Sequence, residues 1–73
     1  MACISPDGEL TDSGRKILSA AQEASVPEEI ARASGMPLFK VRSSLRELTD
    51  AGFMEERDGR YKTTPAGAAK LNL

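Results

Sequence analysis

The side chains best suited to chemistry in this chain lie in one short segment, residues 37–46, which contains three basic residues and no acid. Arginine presents a planar fork of N–H donors that matches phosphate oxygens and guanine edges, and serine hydroxyls can donate to the same groups. A helix through this segment places Arg42 and Arg46 one turn apart on one face, where both can reach the same partner. The candidate contacts in the segment are Lys40, Arg42, Ser43, Ser44 and Arg46.

A second basic group surrounds the dipeptide Asp58-Gly59, which is a strong signal for a β-hairpin with a type I′ turn. A two-residue loop sets the pairs Arg57 with Arg60, Glu56 with Tyr61, Glu55 with Lys62 and Met54 with Thr63. Alternation then places Arg57, Arg60 and Lys62 together on the outer face, with Met54 turned toward the core. These three bases are typical of phosphate contacts, which add salt-sensitive affinity and little sequence information.

Capping residues and apolar spacing predict the elements that must position these side chains. The predicted elements are a helix over 12–24, a helix over 26–34 capped by Ser25, a turn at Gly35, a third helix from Pro37 to a stop at Gly52, the hairpin, and a short helix capped by Thr64. We expect a mainly α fold with a small β-hairpin: a three-helix core, the two strands and a short C-terminal helix. Residues 1–10 are interpreted as an N-terminal arm and residues 11–73 as the folded domain.

Composition narrows the functional classes. The chain has 73 residues, a net charge of −1, no histidine and one cysteine. The near-zero charge disfavours an indiscriminate nucleic-acid binder, although a local basic patch is compatible with it. Without histidine, a nucleophile beside a base or a phosphate-binding glycine loop, we expect no enzyme, no cofactor and no metal. The lone Cys3 excludes an internal disulfide and favours a cytoplasmic location, and no apolar run is long enough for a membrane span.

Three stretches, residues 29–37, 45–53 and 59–67, together resemble the winged helix-turn-helix domain of bacterial and archaeal regulators of the MarR, IclR and PadR kind. The similarity extends from about Thr11 to Leu71 and does not distinguish one of these families from another. The resemblance implies that the third helix enters the major groove of DNA while the hairpin acts as a wing against the adjacent backbone. The leading hypothesis is therefore sequence-specific binding of double-stranded DNA by a small transcriptional regulator acting as a homodimer.

One residue departs from the expected pattern. Phe39 falls in the middle of the face assigned to DNA, where regulators of this type usually carry small polar residues. It can contact a thymine methyl group, fold back under the N-terminal arm, or form a protein-binding patch with Leu38. The last option defines the alternative function, a winged-helix module that binds a protein partner. RNA binding is a third and weaker option, since Phe39 and Tyr61 are the only residues placed to stack on bases.

Overall fold

The computed structural model describes residue 4 and residues 8–71. In chain order the elements are α1 (Asp12–Ala20), α2 (Pro27–Ser34), α3 (Leu38–Asp50), β1 (Met54–Arg57), β2 (Arg60–Thr63) and α4 (Pro65–Leu71). Helices α1, α2 and α3 pack against one another, and the hairpin and α4 close the remaining side of the core. The buried apolar side chains are Leu10, Ile17, Leu18, Ala21, Ile30, Val41, Leu45, Leu48 and Met54.

Helix α1 begins as expected and ends earlier than expected. The Thr11 hydroxyl oxygen accepts the Gly14 N–H at 3.3 Å, which caps the helix. The prediction that this helix continues to residue 24 is wrong, because it ends at Ala20. The Ala21 carbonyl accepts the Thr63 N–H at 2.9 Å, and after a turn the chain reaches a bridge between Ser25 and Tyr61. Pairing with the hairpin therefore takes these residues out of the helix.

Helix α2 uses a different cap from the one predicted. Val26, and not Ser25, occupies the cap position, and its N–H donates to the Glu29 carboxylate at 3.2 Å. Ser25 is instead engaged through its backbone, which exchanges two hydrogen bonds with Tyr61 at 3.0 and 2.8 Å. The helix ends at Gly35, whose φ of 71° is the left-handed conformation that the predicted turn needs.

Helix α3 lies where the sequence predicts it and is one residue shorter at each end, Leu38–Asp50. Pro37 lies at its cap position, where the missing N–H is not needed. At the other end Gly52 takes a φ of 87°, and the Phe53 N–H returns to the Leu48 carbonyl at 2.9 Å. This closing turn sends the chain directly into β1.

The hairpin has the predicted register, pairing Met54 with Thr63, Glu55 with Lys62, Glu56 with Tyr61 and Arg57 with Arg60. Both turn residues have positive φ, 54° at Asp58 and 82° at Gly59, as a type I′ turn requires. Met54 and Thr63 are buried at the root of the hairpin, and Thr63 donates its hydroxyl proton to the Leu18 carbonyl at 2.8 Å. The root is therefore fixed to α1, while the tip extends into solvent.

The chain closes with α4, which begins at the predicted threonine cap. The Thr64 hydroxyl oxygen accepts the Gly67 N–H at 3.2 Å and donates to the Gly52 carbonyl at 2.7 Å. Leu71 packs against the core from this helix. Three helices, a two-stranded antiparallel wing and a short last helix form a winged helix-turn-helix fold, which confirms the predicted fold class.

The N-terminal segment contacts the domain through Ile4 and Leu10. Leu10 lies in the core with 7% of its surface exposed, and Ile4 forms a bridge with it. The Ile4 N–H also donates to the Glu47 carboxylate of α3 at 3.3 Å. Residues 1–3 and 5–7 of the predicted arm, which include Cys3, lie outside the described residues. Among residue 4 and residues 8–71, no helix is long and apolar enough to span a bilayer.

Candidate nucleic-acid interface

The outer face of α3 presents the residues that the sequence places there. Val41, Leu45 and Leu48 are buried on the inner face and hold the helix against the core. The residues exposed along the outer face are Phe39, Arg42, Ser43, Arg46 and Asp50. Helical geometry places these five side chains within an arc of about 100°. A well-anchored helix therefore presents a continuous strip of polar side chains that also contains one large aromatic ring.

Ser44 does not belong to this strip. The sequence assigned it to phosphate or base contacts, but its side chain is fully buried, with 0% exposure. The prediction is wrong because a residue three positions after Val41 lies only about 60° from it, on the core side of the helix. Within the described part of the chain, the Ser44 hydroxyl has no hydrogen-bond partner. It is a buried polar group that costs stability, and it cannot touch a partner at the surface.

Lys40 and Leu38 lie at the margin of the strip. Both are half-buried, whereas Phe39 between them is 69% exposed. Phe39 is the one large apolar side chain exposed among the described residues. The described residues leave the ring exposed, as the DNA and protein options require. The interpretation in which the ring folds back under the N-terminal arm concerns residues that lie largely outside the described part of the chain.

The fold brings acids back to the basic strip. The sequence shows no acid between residues 37 and 46, but the Glu28 carboxylate at the start of α2 lies 3.8 Å from the Arg42 guanidinium. Both side chains remain more than half exposed, 62% for Arg42 and 57% for Glu28, so the pair contributes well under about 1 kcal/mol to stability. The pair matters more for binding, because the Glu28 carboxylate lowers the positive potential around Arg42, one of the two arginines best placed to contact a polyanion. Sequence reasoning missed Glu28 because the contact joins two helices.

A groove of about 530 Å³ separates α3 from the wing. Its lining residues are Pro27, Arg42, Leu45, Arg46, Thr49, Asp50, Glu56, Gly59 and Tyr61. Two arginines and two acids thus face the same space. The Glu56 carboxylate also accepts the Gly59 N–H at 2.6 Å, and this hydrogen bond stabilises the hairpin turn.

The wing bases form a second, separate cluster. Arg57, Arg60 and Lys62 are all exposed, on the strand face opposite Met54, as predicted. They line a shallow depression of about 400 Å³ together with Ala24, Glu55 and Asp58. None of the three lines the groove beside α3. The basic residues of α3 and those of the wing therefore form two separate surfaces.

The described residues contain no group of histidine, cysteine or acidic side chains arranged to hold a metal ion.

Comparison with known proteins supports the fold and leaves the family open. No family model matches the chain, and no curated protein matches it. A solved structure of Bordetella bronchiseptica BpsR, whose DNA binding is regulated by 6-hydroxynicotinic acid, superposes with a TM-score of 0.80. The match covers 92% of this chain and 53% of the BpsR chain at 22% identity. The chain thus spans about half of BpsR and shares its architecture.

Proposed function

We propose that this chain binds double-stranded DNA in a sequence-specific manner, with α3 in the major groove. The observation that carries the proposal is the outer strip of α3, where Arg42 and Arg46 stand exposed one turn apart on a helix fixed by a fully buried inner face. BpsR, which has the same architecture, is a DNA-binding protein, and this supports the assignment.

In this proposal Arg42 and Arg46 read base edges. An arginine fork aligned with guanine O6 and N7 is worth about 1–3 kcal/mol of discrimination. Ser43, exposed beside them, donates to a base or a phosphate, and Lys40 at the margin of the strip contacts a phosphate. These contacts fix the register of the helix in the groove.

The wing supplies backbone contacts. Arg57 and Arg60 flank the two turn residues at the tip, where their side chains can reach phosphates beyond the groove occupied by α3. Lys62 lies two pairs closer to the root on the same face. Because the wing bases face away from α3, they contribute mainly non-specific, salt-dependent affinity.

We propose that the chain acts as a homodimeric transcriptional regulator. The described body measures 29 × 22 × 19 Å, so that one copy covers about one half-site, whereas half-sites in successive major grooves lie about 34–36 Å apart. A second copy would multiply the affinity of a module with few base contacts. Light scattering during size-exclusion chromatography, with and without duplex, tests the dimer independently of sequence recognition.

The decisive experiment is an amide NMR titration with a mixed-sequence duplex at low and high salt. We expect shifts confined to residues 38–46 and 57–62, and we expect high salt to abolish them. Arg42→Ala and Arg46→Ala should each weaken binding by about 5- to 150-fold without unfolding the protein. Lys16→Ala is the matched control, because it removes one exposed positive charge from a surface formed by α1 and α2.

Two results would overturn the proposal. The first is the absence of shifts at low salt. The second is equal loss of binding in Lys16→Ala and in the two arginine variants, which would show that overall charge rather than α3 determines binding.

The exposed ring of Phe39 favours a second candidate function, a module that docks onto a protein partner through Phe39 and Leu38. Leu38 is half-buried, so the pair offers a small apolar surface. A pull-down that depends on Phe39, combined with no DNA-induced shifts, is the result that would select this alternative.

A further inference from the structure

We propose that Phe39 is a specificity-determining residue that contacts the C5-methyl group of a thymine in the DNA site. The inference rests on the proposed DNA-binding function and extends it to the base composition of the site. Phe39 is 69% exposed, whereas the other large apolar side chains among the described residues are buried wholly or in part. The core makes no use of this ring.

The position of Phe39 within α3 points to the base edges. It is the second residue of the helix, and the N-terminal residues of a recognition helix are those that meet the bases. Arg46 lies about 20° from it around the helix axis, and Arg42 and Ser43 lie about 60° and 40° away on either side. A partner that engages the two arginines therefore covers the ring as well.

The spacing along the helix matches successive base pairs. From Phe39 to Arg46 the helix rises about 10 Å, which corresponds to about three base-pair steps of 3.4 Å. Phe39 then meets a base pair at one end of a short segment whose other positions face Arg42 and Arg46. The one apolar group on the major-groove edges of the four base pairs is the thymine methyl, so thymine is the base that an aromatic ring selects there.

The size of the apolar surface favours DNA over a protein partner. A stable protein interface buries about 800 Å² on each side around an apolar centre. Phe39 is a single ring, its neighbour Leu38 is half-buried, and the rest of the strip is charged or polar. A single apolar group among hydrogen-bond donors is complementary to the major-groove edge of an A·T pair, where the thymine methyl lies beside acceptors. It is too small to form the apolar centre of a protein interface.

The test begins with selection of binding sites from a randomised duplex pool by the parent chain and by Phe39→Ala. We expect the parent to enrich a short motif with thymine at one position, and Phe39→Ala to keep the rest of that motif while losing this preference. Because Phe39 is exposed, the variant should fold like the parent, which a proton–nitrogen NMR spectrum checks. Phe39→Leu, which keeps an apolar side chain, should retain part of the preference.

Replacing that thymine by uracil then removes one methyl group and keeps every hydrogen-bonding atom of the base. We expect the parent to lose about fourfold in affinity, the value for one buried methyl group, and Phe39→Ala to be indifferent to the change. A uracil placed outside the motif is the control.

The outcomes separate the inference from the function on which it rests. If the parent enriches no motif, sequence-specific binding fails and the inference fails with it. If a motif is enriched but is the same for Phe39→Ala, or tolerates uracil at every position, DNA recognition stands and the assignment of Phe39 is overturned.

Discussion

Replacing Gly67 by alanine should destabilise the domain, although the same change in most helices is stabilising. A methyl group at position 67 would overlap the carbonyl oxygen of Phe53 and lie 2.9 Å from Cγ2 of Thr63. The Phe53 carbonyl cannot move aside freely, because it accepts the Thr64 N–H at 3.0 Å. The first turn of α4 is therefore pressed against backbone that is itself held in place.

The expected change in the free energy of unfolding combines two destabilising contributions and one stabilising contribution. Overpacking costs about 1–3 kcal/mol, and loss of the bond from Thr64 to Phe53 costs about 1 kcal/mol more. Alanine recovers about 1 kcal/mol through its higher helix propensity. The net loss is about 1–3 kcal/mol, which corresponds to a fall in Tm of roughly 4–24 °C for a domain of this size.

Thermal and urea denaturation followed by circular dichroism measure this loss. Ala69→Ser is the matched control, since it adds one heavy atom at an exposed position of α4 and should change the stability by less than about 0.5 kcal/mol. If Gly67→Ala is as stable as the parent or more stable, α4 does not dock against the Phe53 carbonyl and the reasoning is refuted.

Three further substitutions have defined outcomes. Ser44→Ala removes a buried hydroxyl that has no partner among the described residues, so urea denaturation should show a gain of about 1 kcal/mol; a loss would reveal a hydrogen bond at Ser44. Glu28→Gln removes the carboxylate beside Arg42, so fluorescence anisotropy should show a severalfold higher affinity for a mixed duplex at low salt; unchanged affinity would mean that the pair does not restrain Arg42. Gly59→Ala places a Cβ at a φ of 82°, so thermal denaturation should show a loss of about 1–2 kcal/mol; no loss would contradict the type I′ turn.

Features set by neighbouring residues could be predicted from the sequence. The hairpin is the clearest case, because Asp58-Gly59 determines the turn and the turn determines every pair on both strands. The turn at Gly52 that follows the end of α3 results from similarly local chemistry. The burial of Ser44 was also predictable from local geometry, because the helical angle from Val41 places it toward the core. Its assignment to the surface is therefore wrong on helix geometry alone.

Features set by distant residues could not be predicted in this way. Helix α1 stops at Ala20 because β2 binds the carbonyl of the next residue, and Ser25 loses its capping role because its backbone pairs with Tyr61. Both partners follow more than 35 residues later in the chain. The proximity of Glu28 to Arg42 likewise depends on the packing of α2 against α3. These contacts determine where the helices begin and end and which charges lie beside the candidate site. They cannot be recognised from the residues of a single helix or strand.

The hydrogen bond from the Thr63 hydroxyl to the Leu18 carbonyl joins residues 45 positions apart and so bears on the order of folding. Bringing such distant residues together costs about 3 kcal/mol of chain entropy beyond a constant term. Helix α1 has 9 residues, fewer than the 12–15 or so that an isolated helix needs in water. Helix α2, with 8 residues, is shorter still, so we expect both helices to form only as they pack against α3, and α1 to be fixed in the same late event that seats the root of the wing. The root of the wing is then fixed to the helices only in molecules that have completed folding, so its basic tip is held in one position only as part of a finished domain.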